Sequence, residues 1–373
     1  MTSTNDFRAA VLSDLGATGS EIDELLVYNE NVFDHATLPR SLVLPLADEP
    51  FVTTWEEYVT EAQEKGAFAC LREHLAQLRF PIQAGISQTP AYQAVTRQGK
   101  AVEGLAEATG LQLTAPERLQ LTLHQSLAGR IALLITGDRA DFVALVQALT
   151  RANEPQPIPD SMGAAMVAGY NNWERVQQYR RQWQQSNPFG NWAEEFKRLT
   201  NQPELYQDRF IILSDGPYSG ITAQEIGLSA DEWRQASLTI RREHECAHYF
   251  TRRVFGSMRN NLLDELIADY MGITSAAGRF HADWFLRFMG LENYPAYRPG
   301  GRLENYYGQP PLSAGAVRVL QTLVKRAAEN LAGFDAAHTP RRGKILPALS
   351  YVTLEELASA QAESYLQQAL VFE

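Results

Sequence analysis

The sequence is poor in cysteine, in long apolar runs and in positive charge, and each shortage argues against a class of protein. Only two cysteines occur in 373 residues, Cys70 and Cys246, which is too few for a disulfide framework. No apolar run approaches the ~20 residues that a membrane-spanning helix needs. The net charge of −11 opposes general affinity for nucleic acid or for anionic membranes. We therefore expect neither nucleic acid nor membrane among the partners, and nothing in the sequence predicts an oligomeric state.

The first residues, MTSTNDFRAAVLSDLG, also lack the basic region and the apolar stretch of a signal peptide. Together with the scarcity of cysteine, this predicts a cytoplasmic protein. Apolar residues make up 45% of the chain and charged residues 21%, as in ordinary globular proteins. A chain of this length is sufficient for two or three compact regions with a substantial core.

The distribution of helix and strand signals predicts an α+β fold that is mainly helical, in three regions. Residues 1–110 are predicted as helices and loops, and Thr54 with Glu57 has the spacing of a capping box that begins one helix. Residues 111–226 carry the strand signals, including a hairpin within 119–136 and, in the segment DRFIILSDGPYSG (208–220), a strand followed by a tight turn. Residues 227–373 show helical periodicity almost throughout.

The most informative segment is His244-Glu245-Cys246-Ala247-His248, an H-E-x-x-H motif. Two imidazoles four residues apart on a helix lie on one face, so both can reach one metal ion. Glu245 projects about a quarter-turn away, where it can hold a metal-bound water instead of the metal itself. Cys246 points to the opposite side of the helix and is not expected to be a ligand. His35 and His74 have no partner at ligand spacing, so we expect them to be structural or exposed.

The surroundings of the motif predict one long helix that presents both imidazoles to the interior. Ser229 and Glu232 have capping-box spacing at its start, and Gly256 is expected to end it. A second helix is predicted just downstream, with Asn260 or Asn261 as its N-cap. In that helix the segment 262–273, LLDELIADYMGI, carries an E-x-x-x-D pair whose two acidic residues share one face.

The two motifs together resemble the gluzincins, the thermolysin-like zinc metallopeptidases, over residues 229–273. Metzincins are excluded because Thr251 and Val254 stand where that class has Gly and His. The resemblance implies that Glu265 is the third zinc ligand beside the two histidines, and that Asp269 accepts the outer N–H of one of them. Asp264, where gluzincins often have Asn, remains a rival ligand.

The gluzincin resemblance also implies an active-site helix beside a small sheet, followed by a helical C-terminal lobe. The edge strand of such a sheet pairs with the extended substrate, and residues 210–214 are candidates for this part, although an ordinary core strand is the favoured interpretation of these residues. A side chain of the C-terminal lobe is expected to stabilise the oxyanion. The candidates are Tyr306, Tyr307 and His281, with Arg302 and His338 as further possibilities.

The resulting interpretation is a Zn²⁺-dependent hydrolase, most simply a metallopeptidase that cleaves a peptide or protein substrate. His244, His248 and Glu265 would hold zinc, and Glu245 would act as the general base. No G-x-M-E-N run is present to hold a free N-terminus, which favours internal cleavage or specific processing over aminopeptidase activity.

Two alternatives from other classes stay open. The first is a di-iron carboxylate protein, because Glu245-x-x-His248 is also an E-x-x-H and Asp335-x-x-His338 is a loose second copy. That copy precedes Thr339-Pro340, which is an unfavourable place for a bundle helix. The second is a catalytically inactive zincin-like binding module. It leaves Glu245 without a role, and a purely structural zinc site would tend to close its fourth position with protein.

Overall fold

The computed structural model describes residues 4–35, 42–257 and 261–371. The described chain is an α+β protein, mainly helical, with one four-stranded sheet, which confirms the predicted fold class. It divides into two compact units. The inserted unit is Ala47–Gly216, and the discontinuous unit is made of Met1–Leu46 and Pro217–Glu373.

Helices and strands have the following bounds. The helices are α1 (Thr4–Asp14), α2 (Gly19–Tyr28), α3 (Val52–Lys65), α4 (Ala67–His74), α5 (Pro90–Gln98), α6 (Arg139–Thr150), α7 (Trp173–Ser186), α8 (Trp192–Leu199), α9 (Ala223–Ile226), α10 (Ala230–Phe255), α11 (Leu262–Ala277), α12 (Ala282–Met289), α13 (Ala314–His338), α14 (Arg342–Ser350), α15 (Leu354–Ala358) and α16 (Ala362–Val371). The strands are β1 (Gln120–Ser126), β2 (Gly129–Thr136), β3 (Ala164–Asn171) and β4 (Gln207–Ser214).

The sheet lies in the inserted unit and has the strand order β1-β2-β4-β3. β1 and β2 form the predicted antiparallel hairpin, β2 and β4 pair in parallel, and β3 pairs antiparallel with β4. β3 was not predicted from the sequence. Because β3 covers the outer side of β4, residues 210–214 lie in an interior strand whose two sides are both paired. Residues 210–214 are therefore an ordinary core strand, as favoured, and the alternative that they form a free edge for substrate is wrong.

The core of the inserted unit joins elements that the sequence analysis assigned to separate regions. Trp55 of α3 packs on Phe210 of β4, with ring centroids 4.9 Å apart, and both side chains are fully buried. The predicted boundary at residue 110 thus falls inside one compact unit. The predicted capping box is also wrong, because α3 begins at Val52 and Thr54 lies inside the helix. Burial of Phe51 and Val52 extends the helix past the local capping signal.

In the discontinuous unit, the first helices pack with the last ones. Arg8 of α1 forms a buried ion pair with Glu355 of α15 at 3.1 Å, and Asn29 donates a hydrogen bond to the same carboxylate. At the centre of this unit α10 packs along α11. Among the described residues, no helix is both long and apolar enough to cross a membrane.

Candidate metal centre

The two helices of the centre begin and end where the local signals predict. Ser229 is the N-cap of α10, its hydroxyl accepts from the backbone N–H of Glu232, and Glu232 closes the capping box. Gly256 ends the helix with a φ of 65°, a left-handed conformation that favours glycine. Asn261 caps α11 by accepting from the backbone N–H of Asp264. Both N-caps confirm the sequence predictions and define where the two helices begin.

Three side chains from these helices converge on one point. Nε2 of His244 lies 3.1 Å from Nε2 of His248. The Glu265 carboxylate lies 3.6 Å from Nε2 of His244 and 3.5 Å from Nε2 of His248. All three residues are buried and form a group that could hold a metal ion. The sequence motif therefore folds into a pocket of donor atoms.

The spacing of these donor atoms fits a small tetrahedral cation. Bonds of about 2.0–2.1 Å from zinc to nitrogen or oxygen place tetrahedral ligand atoms about 3.3 Å apart. The separations of 3.1, 3.5 and 3.6 Å lie on either side of this value. Two imidazole nitrogens and one carboxylate form the donor set of open zinc sites, in which a fourth position is left for water.

Each imidazole has a carboxylate on its outer nitrogen. Nδ1 of His244 lies 2.8 Å from Oδ1 of Asp269, the partner that the gluzincin resemblance implies. Nδ1 of His248 lies 3.0 Å from Oδ2 of Asp264, as an ion-pair contact without the alignment of a good hydrogen bond. A carboxylate on the outer nitrogen orients a ligating histidine and raises its basicity. Asp264 thus occupies the place of an orienting partner instead of the rival ligand that the sequence left open.

Tyr218 and Arg302 form a further set of polar contacts to Asp269, and the sequence did not predict that these two residues lie together. The hydroxyl of Tyr218 donates to Oδ1 of Asp269 at 2.7 Å. The guanidinium of Arg302 donates to the same hydroxyl at 2.8 Å, forms an ion pair with Asp269, and approaches Glu265 to 3.7 Å. Tyr218 lies in a short 3-10 turn, Tyr218–Gly220, and is buried. Its only sequence signal is a Pro-Tyr pair in a predicted turn.

The electrostatics of the centre favour the ionised carboxylates. Burial alone would raise the pKa of Asp269, but Arg302 and the His244 imidazole outweigh it and lower that pKa. Burial is likewise outweighed at Glu265, whose pKa the two imidazoles lower. At His248 burial opposes the charged form, yet Asp264 and Glu265 raise the pKa of the imidazole well above its usual value. The cluster therefore strongly favours positive charge at its centre.

Glu245, the predicted general base, differs from the acidic residues that contact the two imidazoles. It is half-buried on α10, and within the described ranges its carboxylate makes no hydrogen bond or ion pair. Arg242, three residues before Glu245, pairs instead with its neighbour Glu243 at 3.0 Å. The Glu245 carboxylate therefore does not form an i,i+3 or i,i+4 ion pair of the kind found on the surface of an ordinary charged helix.

The candidate oxyanion residues divide into those near the centre and those elsewhere. Burial and the Glu265 carboxylate raise the pKa of Tyr306, which places its phenol next to the metal ligand. Tyr307 interacts with Tyr297 and Gln321. His281 stacks on Trp284, with ring centroids 5.2 Å apart. Of these candidates the structure brings Tyr306, together with Arg302, to the metal ligands.

The second E-x-x-H copy is engaged away from the centre. Asp335 and His338 lie on α13, so the expectation that this segment is unsuited to a helix is wrong. The Asp335 carboxylate accepts hydrogen bonds from Tyr270 and from the backbone of Phe280, and His338 pairs with Glu363 at 2.9 Å. Neither residue contributes a donor atom to the group around His248.

Comparison with known proteins gives a family without an assigned activity. A protein-family model described as "Family of unknown function (DUF7005)" matches residues 10–361, and the chain belongs to that family. No curated protein and no solved structure matches the chain.

Proposed function

We propose that this chain is a zinc-dependent hydrolase, and that its substrate is a peptide or protein. The observation that carries the proposal is the convergence of three donor atoms with an oriented second layer. His244, His248 and Glu265 would hold the ion, while Asp269 and Asp264 hold the two imidazoles from behind. Such an outer layer is typical of metal sites.

The charges in contact at the centre support a divalent cation. The carboxylates of Glu265, Asp264 and Asp269 supply three negative charges, and Arg302, which contacts Asp269 and Glu265, supplies one positive charge. With neutral imidazoles, a divalent cation balances this set. Two imidazoles and a carboxylate with an open fourth position form the donor set of catalytic zinc sites, which is why we propose zinc.

Zinc held by His244, His248 and Glu265 would supply Lewis-acid chemistry, a lowered pKa of water and a polarised scissile carbonyl. Glu245 accepts the proton of the attacking water and passes it to the leaving amine, as a general base and then a general acid. Its carboxylate is available because no described side chain pairs with it. The phenol of Tyr306, held protonated by burial and by Glu265, can donate a hydrogen bond to the developing oxyanion.

The test combines elemental analysis with a peptide-library assay on four proteins. We expect the wild type, Glu245→Gln and His338→Ala to hold the same amount of zinc per chain, and His248→Ala to hold about one zinc per chain less. His338→Ala is the matched control, because this histidine is partly exposed and pairs with Glu363. Turnover is expected in the wild type and the control, and its loss in Glu245→Gln by a factor of about 10² or more.

The outcomes that contradict the proposal are distinct. Full activity of Glu245→Gln would disprove the mechanism. Zinc in the wild type without cleavage of any peptide would instead support a binding module. Iron with oxygen chemistry would support the di-iron alternative.

A further inference from the structure

A second cluster of metal-ligating side chains lies in the inserted unit, on α3 and α4. Glu61 is on α3, while Cys70 and His74 stand four residues apart on α4 and therefore share one face. One donor atom from each residue, a carboxylate oxygen, the thiol sulfur and an imidazole nitrogen, lies within 4.8 Å of the others. The group is not evident from histidine spacing alone, because the residue at ligand spacing from His74 is a cysteine.

Three side chains contact the imidazole of His74. Its Nδ1 lies 2.8 Å from the Glu174 carboxylate, which in turn accepts the hydroxyl of Tyr58 at 2.7 Å. The ring of Tyr58 stacks on the imidazole, with centroids 4.1 Å apart and planes at 18°. The remaining nitrogen, Nε2, faces Oε2 of Glu61 at 2.8 Å. A histidine with a carboxylate on one nitrogen and its other nitrogen facing further ligand atoms has the arrangement of a metal ligand.

The other two residues are arranged consistently with this reading. Oε1 of Glu61 accepts from the ammonium of Lys65 at 2.9 Å, which leaves Oε2 for the inner side of the cluster. Cys70 is fully buried, and its thiol donates to the backbone carbonyl of Tyr58 at 3.3 Å. Burial raises the pKa of this thiol to about 12, so a cation is needed to convert it to a thiolate near neutral pH.

We propose that Glu61, Cys70 and His74 bind a second divalent ion of the zinc class, independently of the centre in the discontinuous unit. A mixed set of thiolate, imidazole and carboxylate suits zinc and its spectroscopic substitute cobalt(II). Binding releases the thiol proton, and any proton on Nε2 of His74, to solvent. Nε2 of His74 and Oε2 of Glu61 must separate by about half an ångström to reach the ~3.3 Å between tetrahedral ligand atoms. The ion would link α3 to α4, and through Glu174 to the start of α7.

Cobalt(II) provides a sharp test, because a thiolate ligand produces an intense charge-transfer absorption in the near ultraviolet that a His/His/Glu site lacks. We would titrate the metal-free full-length chain with Co²⁺. The expected result is two ions per chain, one of them accompanied by the thiolate band. The band is expected to disappear in Cys70→Ser and to persist in Cys246→Ser, and the chain has no other cysteine.

His74→Gln provides a second variant if Cys70→Ser fails to fold, since glutamine retains hydrogen-bonding capacity in place of the imidazole. We expect it to lose the band and one ion, while His248→Ala loses one ion and keeps the band. Absence of the band in the wild type, or its loss in Cys246→Ser instead of Cys70→Ser, would overturn the proposal and leave an ion-pair network at His74. The cobalt band reports only on the cysteine site, whereas metal loss in His248→Ala and peptide cleavage report on the hydrolase centre. Failure of one proposal can therefore be distinguished from failure of the other.

Discussion

Oδ2 of Asp264 lies 3.0 Å from Nδ1 of His248, and Oδ1 of Asp269 lies 2.8 Å from Nδ1 of His244. Each imidazole therefore has its own carboxylate on the nitrogen that faces away from the other imidazole. Both carboxylates come from α11, the helix that also supplies Glu265. A single helix thus contributes one ligand and the orientation of the other two.

Removal of the Asp264 charge is expected to weaken zinc binding. Asp264→Asn keeps the size of the side chain but removes the negative charge behind His248, and loss of such a partner typically reduces metal affinity about 10–100-fold. We expect a reduction of the same order in Asp269→Asn. Competition with a chelating dye measures both affinities. Asp283→Asn, at an exposed carboxylate of α12, is the control and should bind zinc as the wild type does. Wild-type affinity in Asp264→Asn would show that this carboxylate does not act on His248.

The cap of α11 offers a way to disturb the centre without changing a ligand. Asn261→Ala removes the acceptor for the backbone N–H of Asp264, which lies 3.0 Å from the Asn261 amide oxygen. Loss of an N-cap costs about 1 kcal/mol of stability, and fraying here also loosens Asp264 and Glu265. We expect a lower free energy of unfolding in urea together with weaker zinc binding.

Ser313→Ala is the matched control for that experiment. Ser313 caps α13 by accepting from the backbone N–H of Ala316, at a helix that supplies no ligand. It should lose a similar amount of stability and keep its zinc affinity. Equal zinc affinities in the two variants would mean that the start of α11 does not position the ligands.

The parts of the centre that could be predicted are those encoded by short-range signals. The bounds of α10 follow from Ser229 with Glu232 at one end and Gly256 at the other, and helical spacing alone puts His244 and His248 on one face. The pairing of Asp264 with His248 depends on how α10 and α11 pack, which sequence spacing does not specify. Tyr218 reaches Asp269 from a turn outside both helices, so no local pattern connects it to the centre.

The position of β4 in the sheet also depends on residues that are distant in the sequence. β4 was recognised as a strand, but its position depends on β3, whose segment AAMVAGYN is short and contains Gly169 at a β-bulge. Without β3 the sequence leaves open whether this strand lies at an edge of the sheet or in its interior. Similarly, α1 and α2 belong with the C-terminal helices through the contacts of Arg8 and Asn29, which are hundreds of residues distant in sequence from Glu355.

The burial of Phe210 predicts a large cost for truncating its side chain. Its side chain is fully buried against Trp55, so Phe210→Ala is expected to cost about 3–5 kcal/mol through lost burial and the remaining cavity. Phe189→Ala removes the same atoms from a fully exposed position and should change stability by less than about 0.5 kcal/mol. Urea unfolding measures both. A small effect at Phe210 would contradict its burial against Trp55.

The contact of α10 with α11 depends on a glycine, and this gives the strictest test of the geometry behind the centre. A Cβ atom at Gly272 would lie 2.6 Å from the backbone oxygen of Ile240, one turn before His244. Gly272→Ala must therefore push the two helices apart, at a cost of about 1–3 kcal/mol. Because the ligands of the centre are divided between these helices, zinc affinity should fall as well.

Gly333 of α13 is the matched position for that substitution. It is an exposed glycine inside a helix, and a Cβ there would meet nothing within 4 Å. Gly333→Ala should stabilise the protein by about 0.4–1 kcal/mol, since alanine reduces the conformational freedom of the unfolded chain, and it should leave zinc affinity unchanged. Urea unfolding should therefore show a loss of stability in Gly272→Ala and a gain of stability in Gly333→Ala. If Gly272→Ala were as well tolerated as Gly333→Ala, then α10 and α11 would not be in close contact beneath His244, and the separations of the three donor atoms would lose their structural basis.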